Sequence, residues 1–549
     1  MSAQPRFSPT RRLSEAVGDR MKWVASAVVA LSTGFFLLAN GAGLSDPGLQ
    51  YDELLFVNGA LGDPYPYHDF IYREALGIPT MLMPYIGALK AWLYAPIFSV
   101  FGVSVDTIRI PAILLAALAL VCVVALIYRL MGSWPAMLLA VLLATDPVYG
   151  AVSRADWGPI VLSAVFRVLA LLAYFAFVRR GSVRYLWLLV IALTLGLFNK
   201  LDYVWFIAAL AIAALVVHHD RLWALLRCRR RAVILPVCTM AGILVAAFFD
   251  LILPATRLPL GGSHASLSGR ISEVAHLFYI TVDGTGVYQY MTASTLRHGT
   301  LLGLLFPYVL VISVVIALWT VIVSRHRASG DPLREASSMT TFFLVLFAVI
   351  GIGIIVTRQA TGPQHIMLLW PLPAVLLVCV LWTASRVPHK YVRLVGVAVV
   401  SLSIAALVIT QIATTVRYVD AYRSDRQWDT IWSPEIYPAV SAVERSAPGV
   451  TSIITADWGL GTQMFALGGD VVRARFLDEW PSFTSATETA TALRQEWFER
   501  QSMIIIYHTK AGEIMPRTTQ RVEAIVHSLG PRARPIFVGR QIEADVISP

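Results

Sequence analysis

Residues 79–101 read PTMLMPYIGALKAWLYAPIFSVF, an apolar stretch with a single cation, Lys90. Its length suits a membrane span, which needs roughly 20 apolar residues. However, Pro79, Pro84 and Pro96 interrupt it, and a proline inside a helix removes a backbone hydrogen bond. Whether this stretch crosses the membrane decides the orientation of every segment that follows it.

The remainder of the chain has the composition of a polytopic membrane protein. Of its 549 residues, 57% are hydrophobic and only 14% are charged, whereas soluble domains have roughly 45–50% apolar and about 25% charged residues. Eleven further stretches are apolar enough to be spans. They are 23–40, 108–128, 134–149, 158–178, 185–200, 202–217, 232–253, 301–323, 340–357, 365–385 and 392–412.

The basic residues settle the orientation. If residues 79–101 do not cross, the N-terminal tail 1–22 and all the arginine-rich loops, the strongest being Arg227–Arg231, fall on one side. Positive charge marks the cytoplasmic side. We therefore predict that 79–101 forms interfacial helices on the outer surface. The transmembrane domain then covers 23–412. Four segments lie outside the cytoplasm: 41–107, 146–157, 254–300 and 413–549.

The C-terminal region, 413–549, is less apolar and is predicted to be a small α/β domain. Apolar runs typical of strands occur at 451–455, 503–507 and 534–538, and helical patterns occur at 434–445, 488–501 and 518–529. Such alternation indicates an α/β fold. We expect this domain to cap a cavity or bind a substrate, without catalytic residues of its own.

Charge and cysteine usage exclude several other classes. The formal net charge is +10, but the basic residues lie in short clusters between apolar stretches. This placement suits topology control better than binding to a nucleic-acid backbone. The cysteines lack zinc-site spacing, and we find no Walker loop, HExxH or CxxC motif. We therefore expect no nucleic-acid partner, no metal and no cofactor.

Three carboxylates are candidate catalytic groups. Asp52 and Glu53 follow the first span, and adjacent residues at a helix start point in different directions. One can face a substrate, with Asp52 as a general base, while the other braces the loop. The alternative is a solvated loop with Asp52 as a helix N-cap. Asp156 lies at the outer end of a later span, where it is either catalytic or a helix-dipole carboxylate.

A second group of residues could bind an anionic, lipid-linked substrate. Cations on the outer face run against the usual charge bias and could hold a phosphate headgroup, although each alone is typical of a snorkelling side chain. The candidates for phosphate binding are Lys90, Lys200, Arg358 and His365. Candidates for other substrate contacts, or for an interfacial aromatic belt, are Tyr72, Arg73, Tyr85 and Trp157.

The order of these motifs resembles the GT-C superfamily of polytopic glycosyltransferases, in particular the protein O-mannosyltransferase and aminoarabinose-transferase-like group. The likeness covers residues 20–220 well and the later spans loosely. The matching motifs are Asp52–Glu53, Pro84, Gly87–Lys90, Phe101–Gly102, Ile108–Pro111, Asp156–Pro159 and Gly196–Lys200. The C-terminal domain departs from the better-known members, so the resemblance does not identify the acceptor.

The resemblance implies a polyprenyl phosphate sugar as donor, used at the outer face of the plasma (inner) membrane. The sugar would move to a hydroxyl of a glycan, lipid or protein, with inversion at the anomeric carbon. On this hypothesis Asp52 deprotonates the acceptor, Lys90 and the other cations hold the leaving phosphate, and Asp156 positions Lys90 or the acceptor.

Two other classes of function remain open from sequence. A transporter or flippase would need ionisable residues deep in its spans, and here Arg167 and Asp250 are the main examples. A membrane-anchored binding protein would use the C-terminal domain and would leave the acidic segment unexplained. Ala-Asp-Trp-Gly also occurs twice, at 155–158 and 456–459, in unlike surroundings, and we interpret this repeat as coincidence.

Overall fold

The computed structural model describes residues 9–62, 71–256, 266–323, 331–357, 362–423, 428–484, 502–529 and 532–548. Its larger part is a bundle of α-helices, and its C-terminal part is a sheet with flanking helices. The bundle helices are α1 (Pro9–Gly41), α2 (Tyr51–Leu61), α3 (Leu89–Phe101), α4 (Val105–Met131), α5 (Ser133–Ala144), α6 (Pro147–Arg154), α7 (Ile160–Arg180), α8 (Val183–Asn199), α9 (Val204–Cys228), α10 (Arg230–Ala247), α11 (Leu253–Thr256), α12 (Leu267–Val282), α13 (Thr285–Thr292), α14 (Leu302–Val323), α15 (Pro332–Thr357), α16 (Pro363–Ile366), α17 (Leu372–Ala384) and α18 (Lys390–Arg423).

The helices confirm the predicted class of polytopic membrane protein. Within the described residues, nine helices are long and apolar enough to cross a membrane, and the pair α5 and α6, bent by 57°, would make ten. Each of the eleven predicted spans coincides with one of these helices or with α8, which has only 17 residues. The expected number of about eleven therefore falls to nine or ten membrane-length helices, because α5 and α8 are short.

The segment predicted to form interfacial helices, 79–101, is helical only from Leu89 onward and begins with strands. Three antiparallel strands, β1 (Arg73–Ala75), β2 (Ile78–Met83) and β3 (Ile86–Gly87), precede the single helix α3. Pro79 lies within β2 and Pro84 in the turn after it, where the missing N–H of proline does not interrupt a helix. At 1.5 Å per residue, the 13 residues of α3 reach about 20 Å, less than the roughly 30 Å hydrocarbon core.

Two other boundaries differ from the prediction. The loop expected at 146–157 contains the helix α6, which Asp146 caps by accepting bonds from Val148 N and Tyr149 N. The last membrane helix, α18, continues to Arg423, beyond the expected end of the transmembrane domain at 412. In both places polar residues that read as loop in the sequence are helical.

The C-terminal part is an α/β unit, as expected. Its strands are β4 (Ser452–Thr455), β5 (Phe476–Asp478), β6 (Met503–His508), β7 (Ala533–Val538) and β8 (Ile542–Ile547), in the spatial order β5-β4-β6-β8-β7. β4 is parallel to β5 and β6, and β8 is antiparallel to β6 and β7. The helices are α19 (Ile436–Ser446), α20 (Leu460–Leu467), α21 (Asp470–Arg473), α22 (Trp480–Thr484) and α23 (Thr518–Leu529).

The three predicted strands and two of the three predicted helices are present, and the helix expected at 488–501 lies outside the described residues. The sequence reading missed β5 and β8. β5 has only three residues, which is too short to show a pattern. β8 reads IEADVI, with two carboxylates among apolar residues, and it is a strand because it pairs along its whole length with β6.

The C-terminal unit packs directly on α2, the helix that carries the acidic pair. Gln463 Nε2 donates to Leu49 O at 2.7 Å, and Asn58 Nδ2 donates to Thr462 O at 3.2 Å. The rings of Tyr51 and Trp458 stack with centroids 4.8 Å apart. The C-terminal unit, through α20 and Trp458, therefore helps to fix the position of α2.

The orientation can be tested by labelling cysteines in intact cells with a membrane-impermeant maleimide. Native Cys228 is exposed at the end of α9, within the arginine-rich segment Arg227–Arg231, and Tyr72 is 51% exposed beside the β1–β3 sheet. We expect a Tyr72→Cys protein, made in a Cys228→Ser background, to be labelled from outside. Cys228 of the wild type should react only after permeabilisation. Labelling of Cys228 in intact cells would reverse the predicted topology.

Candidate active site

The acidic pair lies in the first turn of a capped helix. Gln50 is the N-cap of α2: its side-chain oxygen accepts from Asp52 N at 2.9 Å, and its own N–H donates to Glu53 Oε1 at 3.2 Å. An N-cap fixes the start of a helix by satisfying its free N–H groups. The two neighbouring carboxylates consequently point apart: Glu53 is fully buried, and Asp52 is half-buried.

Glu53 does not have the geometry of a catalytic residue. Its carboxylate receives Arg109 Nε at 2.8 Å and Arg109 Nη2 at 2.7 Å, and neither side chain is exposed. The same guanidinium donates to the carbonyl oxygens of Leu44, Pro47 and Gly48. Both Glu53 oxygens are thus occupied in a bidentate pair, a geometry that favours a structural role for this carboxylate over the predicted catalytic one.

Lys90 and Asp156 are committed to each other. The Lys90 ammonium lies 2.7 Å from Asp156 Oδ1 and donates to the carbonyl oxygens of Asp156 at 3.3 Å and Gly158 at 2.9 Å. An ammonium has three donors, so these contacts use all of them. Lys90 is only 3% exposed, which favours a structural role for it over the predicted contact to a phosphate. Asp156, which also receives Tyr94 OH, is equally inaccessible to an acceptor.

The Lys90 contacts hold a tight turn that presents Trp157. Asp156 and Gly158 both have positive φ angles, 43° and 65°, and a non-glycine residue in that region needs support from its surroundings. The turn directs Trp157 Nε1 to Asp52 Oδ2 at 3.0 Å. Since Trp157 is only 2% exposed, its ring orients Asp52 and has little surface left for the substrate contact expected of it.

Lys200 approaches the site from the end of α8. Residue 200 is bridged to Ile86, and Leu201 N donates to Tyr85 O at 3.0 Å. Gly87 permits this approach, because an added Cβ would clash with the carbonyl of Phe198. The Lys200 ammonium pairs with Asp202 Oδ2 at 2.9 Å, a contact that uses one of its three donors.

Electrostatics connect these groups into one site. Burial raises the pKa of Asp52, and this rise is opposed by the Trp157 hydrogen bond and by the positive charges of Lys200 and Lys90. Burial also raises the pKa of Tyr85, where the charge of Lys200 lowers it and that of Asp52 raises it. Tyr85 is half-buried. A carboxylate, a phenol and an ammonium are therefore within electrostatic range of one another.

The other predicted residues have different positions. His365, in α16, lies within electrostatic range of Lys200, and its contact with a phosphate stays a prediction. Tyr72 is exposed, and Arg73 lines a separate groove of about 380 Å³ with Phe198 and Asp250. Arg358 lies outside the described residues.

Among the residues that the structure does describe, no cluster of His, Cys, Asp or Glu side chains has the geometry of a metal site.

Several site residues were missed from sequence. Tyr290 and Trp432 both contact the Trp157 ring, with centroids 5.2 Å away in each case. Trp458 stacks on Tyr51, next to Asp52. The repeated Ala-Asp-Trp-Gly was a signal for the tryptophans, since both copies place their tryptophan against the first turn of α2. Tyr290 and Trp432 had no local signal, because their positions depend on distant packing.

Comparisons with known proteins agree with this architecture. A family model described as dolichyl-phosphate-mannose-protein mannosyltransferase matches residues 87–253. A search of the curated proteins gives no significant match. A crystal structure of ArnT from Cupriavidus metallidurans bound to undecaprenyl phosphate is similar, with a TM-score of 0.51, 11% identity, and coverage of 96% of this chain and 98% of that one.

Two further solved structures are similar. The apo state of the same ArnT has a TM-score of 0.50 at 13% identity, over 96% of this chain and 98% of that one. The apo oligosaccharyltransferase of Archaeoglobus fulgidus has a TM-score of 0.51 at 13% identity, over 89% of this chain and 70% of that one. At such identities the likeness is one of fold. The chain has the membrane fold of the GT-C glycosyltransferases, and the resemblance inferred from its motifs is confirmed.

The Glu53–Arg109 pair can be tested by thermal unfolding in detergent. Glu53→Ala leaves the Arg109 charge buried without its counter-ion, and breaking such a pair costs about 3–5 kcal/mol. We expect a clear fall in Tm, whereas Glu273→Ala, at an exposed position on α12, should change Tm little. An unchanged Tm for Glu53→Ala would contradict the structural role of the pair.

Proposed function

We propose that this protein transfers a sugar from a polyprenyl phosphate to a hydroxyl acceptor on the extracytoplasmic face of the plasma (inner) membrane. The observation that carries the proposal is the environment of Asp52: a half-buried carboxylate oriented by Trp157 and lying near Lys200. The similar ArnT structure contains undecaprenyl phosphate, and the matching family model is described by a dolichyl phosphate donor. Both support a lipid phosphate as the leaving group.

In this mechanism Asp52 is the general base. The Trp157 N–H holds one carboxylate oxygen and thereby directs the other toward the acceptor hydroxyl. Burial raises the pKa of Asp52, which makes it a stronger proton acceptor than a solvated aspartate. As the proton moves to Asp52, the acceptor oxygen forms a bond to the anomeric carbon. The bond from that carbon to the phosphate oxygen breaks with its electron pair, and attack from the opposite face inverts the centre.

The leaving phosphate needs positive charge, and Lys200 is the cation best placed to supply it. Its pair with Asp202 uses one N–H, so its other two donors can reach a phosphate, with His365 nearby.

Lys90 instead acts as a positioning residue, because it holds the turn that carries Trp157. Asp156 in turn holds Lys90. Tyr85, which is within electrostatic range of both Lys200 and Asp52, is proposed to contact the transferred sugar or the phosphate.

The buried Arg167 argues against the transport alternative. It lies in α7 and donates through Nη2 to the carbonyl oxygens of Met367 at 3.1 Å and Trp370 at 3.2 Å. These carbonyls lie where the chain breaks its helix before Pro371, and a freed backbone group inside a membrane needs a partner. The charge of Arg167 therefore has a structural explanation that requires no transport pathway.

Asp52→Asn keeps the size of the side chain but removes the proton acceptor. Loss of a general base typically costs about 10²–10⁴-fold, and we expect this loss in kcat, with donor binding nearly intact. Turnover of a labelled polyprenyl phosphate sugar by purified protein measures it. Asp106→Asn, on the exposed first turn of α4, is the matched control. Near-normal kcat in Asp52→Asn would remove this residue from catalysis.

The proposed mechanism makes turnover depend on pH. The base must be deprotonated, so turnover should fall as the pH drops through the Asp52 pKa, which lies above the ordinary value of roughly 3.9 because of burial. The charge of Lys200 lowers that pKa, so Lys200→Met should move the acidic limb of the kcat profile to higher pH. The same change should weaken donor binding and cost about 10²–10³ in rate.

Lys510→Met, in the C-terminal unit, provides the control for the loss of one positive charge and should leave both the profile and donor binding unchanged. A Lys200→Met enzyme whose acidic limb stays in place would show that Lys200 is too far from Asp52 to act on it. Unchanged donor binding in the same variant would remove Lys200 from the phosphate site.

A further inference from the structure

Trp157 connects the base to a second group of side chains that the mechanism above does not use. One edge of its indole holds Asp52, and its ring contacts Tyr290 at 5.2 Å and Trp432 at 5.2 Å between centroids. Trp157 and Trp432 are buried, but Tyr290 is 40% exposed. The phenol of Tyr290 is thus the part of this aromatic group that remains accessible beside Asp52.

A carboxylate lies next to Tyr290. Asp429 N donates to Met291 O at 3.0 Å, which places the two chain segments side by side. The Asp429 carboxylate is half-buried, and its one hydrogen bond from the described residues is a long one, 3.4 Å, from Ile431 N. It therefore retains most of its capacity to accept hydrogen bonds.

The phenol of Tyr290 lies within range of both carboxylates. Burial raises the pKa of Tyr290, and the negative charges of Asp52 and Asp429 raise it further. Asp52 and Asp429 thus act on the same phenol, one from the start of α2 and the other from the segment that leads into the C-terminal unit. Tyr290 thus contacts the Trp157 ring that binds Asp52 and lies beside the chain segment that carries Asp429, which makes a polar and aromatic surface close to Asp52.

This combination matches the chemistry of a sugar ring. A pyranose has a face of polarised C–H bonds, which an aromatic ring attracts through its negative face. It also has hydroxyls at its edge, which a carboxylate accepts in strong, charge-assisted hydrogen bonds. A peptide or an acyl chain offers no such combination within one rigid ring.

We propose that Tyr290 and Asp429 form the acceptor subsite and that the acceptor is a sugar. The ring of the acceptor packs on Tyr290, one of its hydroxyls donates to Asp429, and another lies at Asp52 for deprotonation. This inference rests on the proposed function, and it narrows the acceptor from a glycan, lipid or protein hydroxyl to a sugar hydroxyl. Tyr290 and Asp429 are binding residues for the acceptor and have no role toward the donor.

Binding can be tested without turnover by saturation-transfer NMR on the full-length protein in detergent. The probes are the methyl glycosides of mannose, glucose, galactose and arabinose, with a serine-threonine peptide as the non-sugar probe. We expect saturation of the ring protons of at least one glycoside. Tyr290→Ala should reduce the signal several-fold, in keeping with a loss of affinity of about tenfold, and Tyr290→Phe should retain most of it. Tyr279→Ala is the matched control, since Tyr279 is 41% exposed on the neighbouring helix α12.

Kinetics supply the second arm, with the polyprenyl phosphate sugar as donor and the bound glycoside as acceptor. Asp429→Asn and Tyr290→Ala should each raise the acceptor KM about tenfold, the equivalent of one good hydrogen bond to a charged group or one ring contact. Donor KM should not change. Slow hydrolysis of the donor by water should also persist in both variants, because water needs Asp52 but not the subsite.

Each outcome separates this inference from the proposed function. Glycosides that bind in the wild type and in Tyr290→Ala alike, or a wild type that binds only the peptide or none of the probes, would overturn the sugar subsite. An acceptor KM unchanged in both variants would do the same. A wild type that binds a glycoside through Tyr290 but neither transfers nor hydrolyses the donor would support the subsite and refute the transferase.

Discussion

Two buried arginines hold the segment between the first membrane helix and α2, and the site depends on them. Arg109 binds Glu53 and the carbonyls of Leu44, Pro47 and Gly48. Arg154 donates to four carbonyls between residues 40 and 46, and its guanidinium lies 4.1 Å from the Tyr422 ring centroid. A buried guanidinium is costly unless its donors are satisfied. Here the N–H donors of both guanidinium groups bond to carbonyl oxygens that have no partner within a helix or a sheet. These contacts fix the conformation of the segment, and they therefore also fix the start of α2, where Asp52 lies.

A fixed α2 allows the site to be assembled from distant parts of the chain. Tyr85 lies in the turn between β2 and β3, Lys200 directly follows α8, and Trp157 lies in the turn whose neighbouring residues have positive φ angles. All three residues are distant from Asp52 in the sequence, and other groups fix their positions. Lys90 binds the turn that carries Trp157, and Gly87 leaves space for the end of α8. Catalytic geometry is sensitive to displacements of about 1 Å. We therefore interpret the buried Lys90–Asp156 pair as a contact that fixes the geometry of the site rather than as a pair of reacting groups.

The sequence predicted what depends on local pattern. Apolar length identified the helices, arginine placement gave an orientation, and the position of Asp52 and Glu53 after a span marked the acidic segment. It failed where a contact over long sequence distance decides the role. The sequence shows Glu53 and Lys90 as charges near the outer surface, whereas Arg109 and Asp156, 56 and 66 residues away, occupy them fully. The same reason hid Tyr290 and Asp429, which are 238 and 377 residues after Asp52 in the chain. The β1–β3 sheet was missed because its apolar residues also suit a helix.

The C-terminal unit belongs to the same mechanical assembly as the acidic segment. Trp458 stacks on Tyr51, Gln463 binds Leu49 O, and the segment that leads into the unit carries Trp432 against Trp157. Asp457, beside Trp458, is buried and receives Ile514 N, Met515 N and His508, so this carboxylate stabilises the unit itself. A shift of the unit would move Tyr51 and Trp157 together, and both residues border Asp52. The same few contacts therefore determine both the docking of the C-terminal unit and the orientation of Asp52.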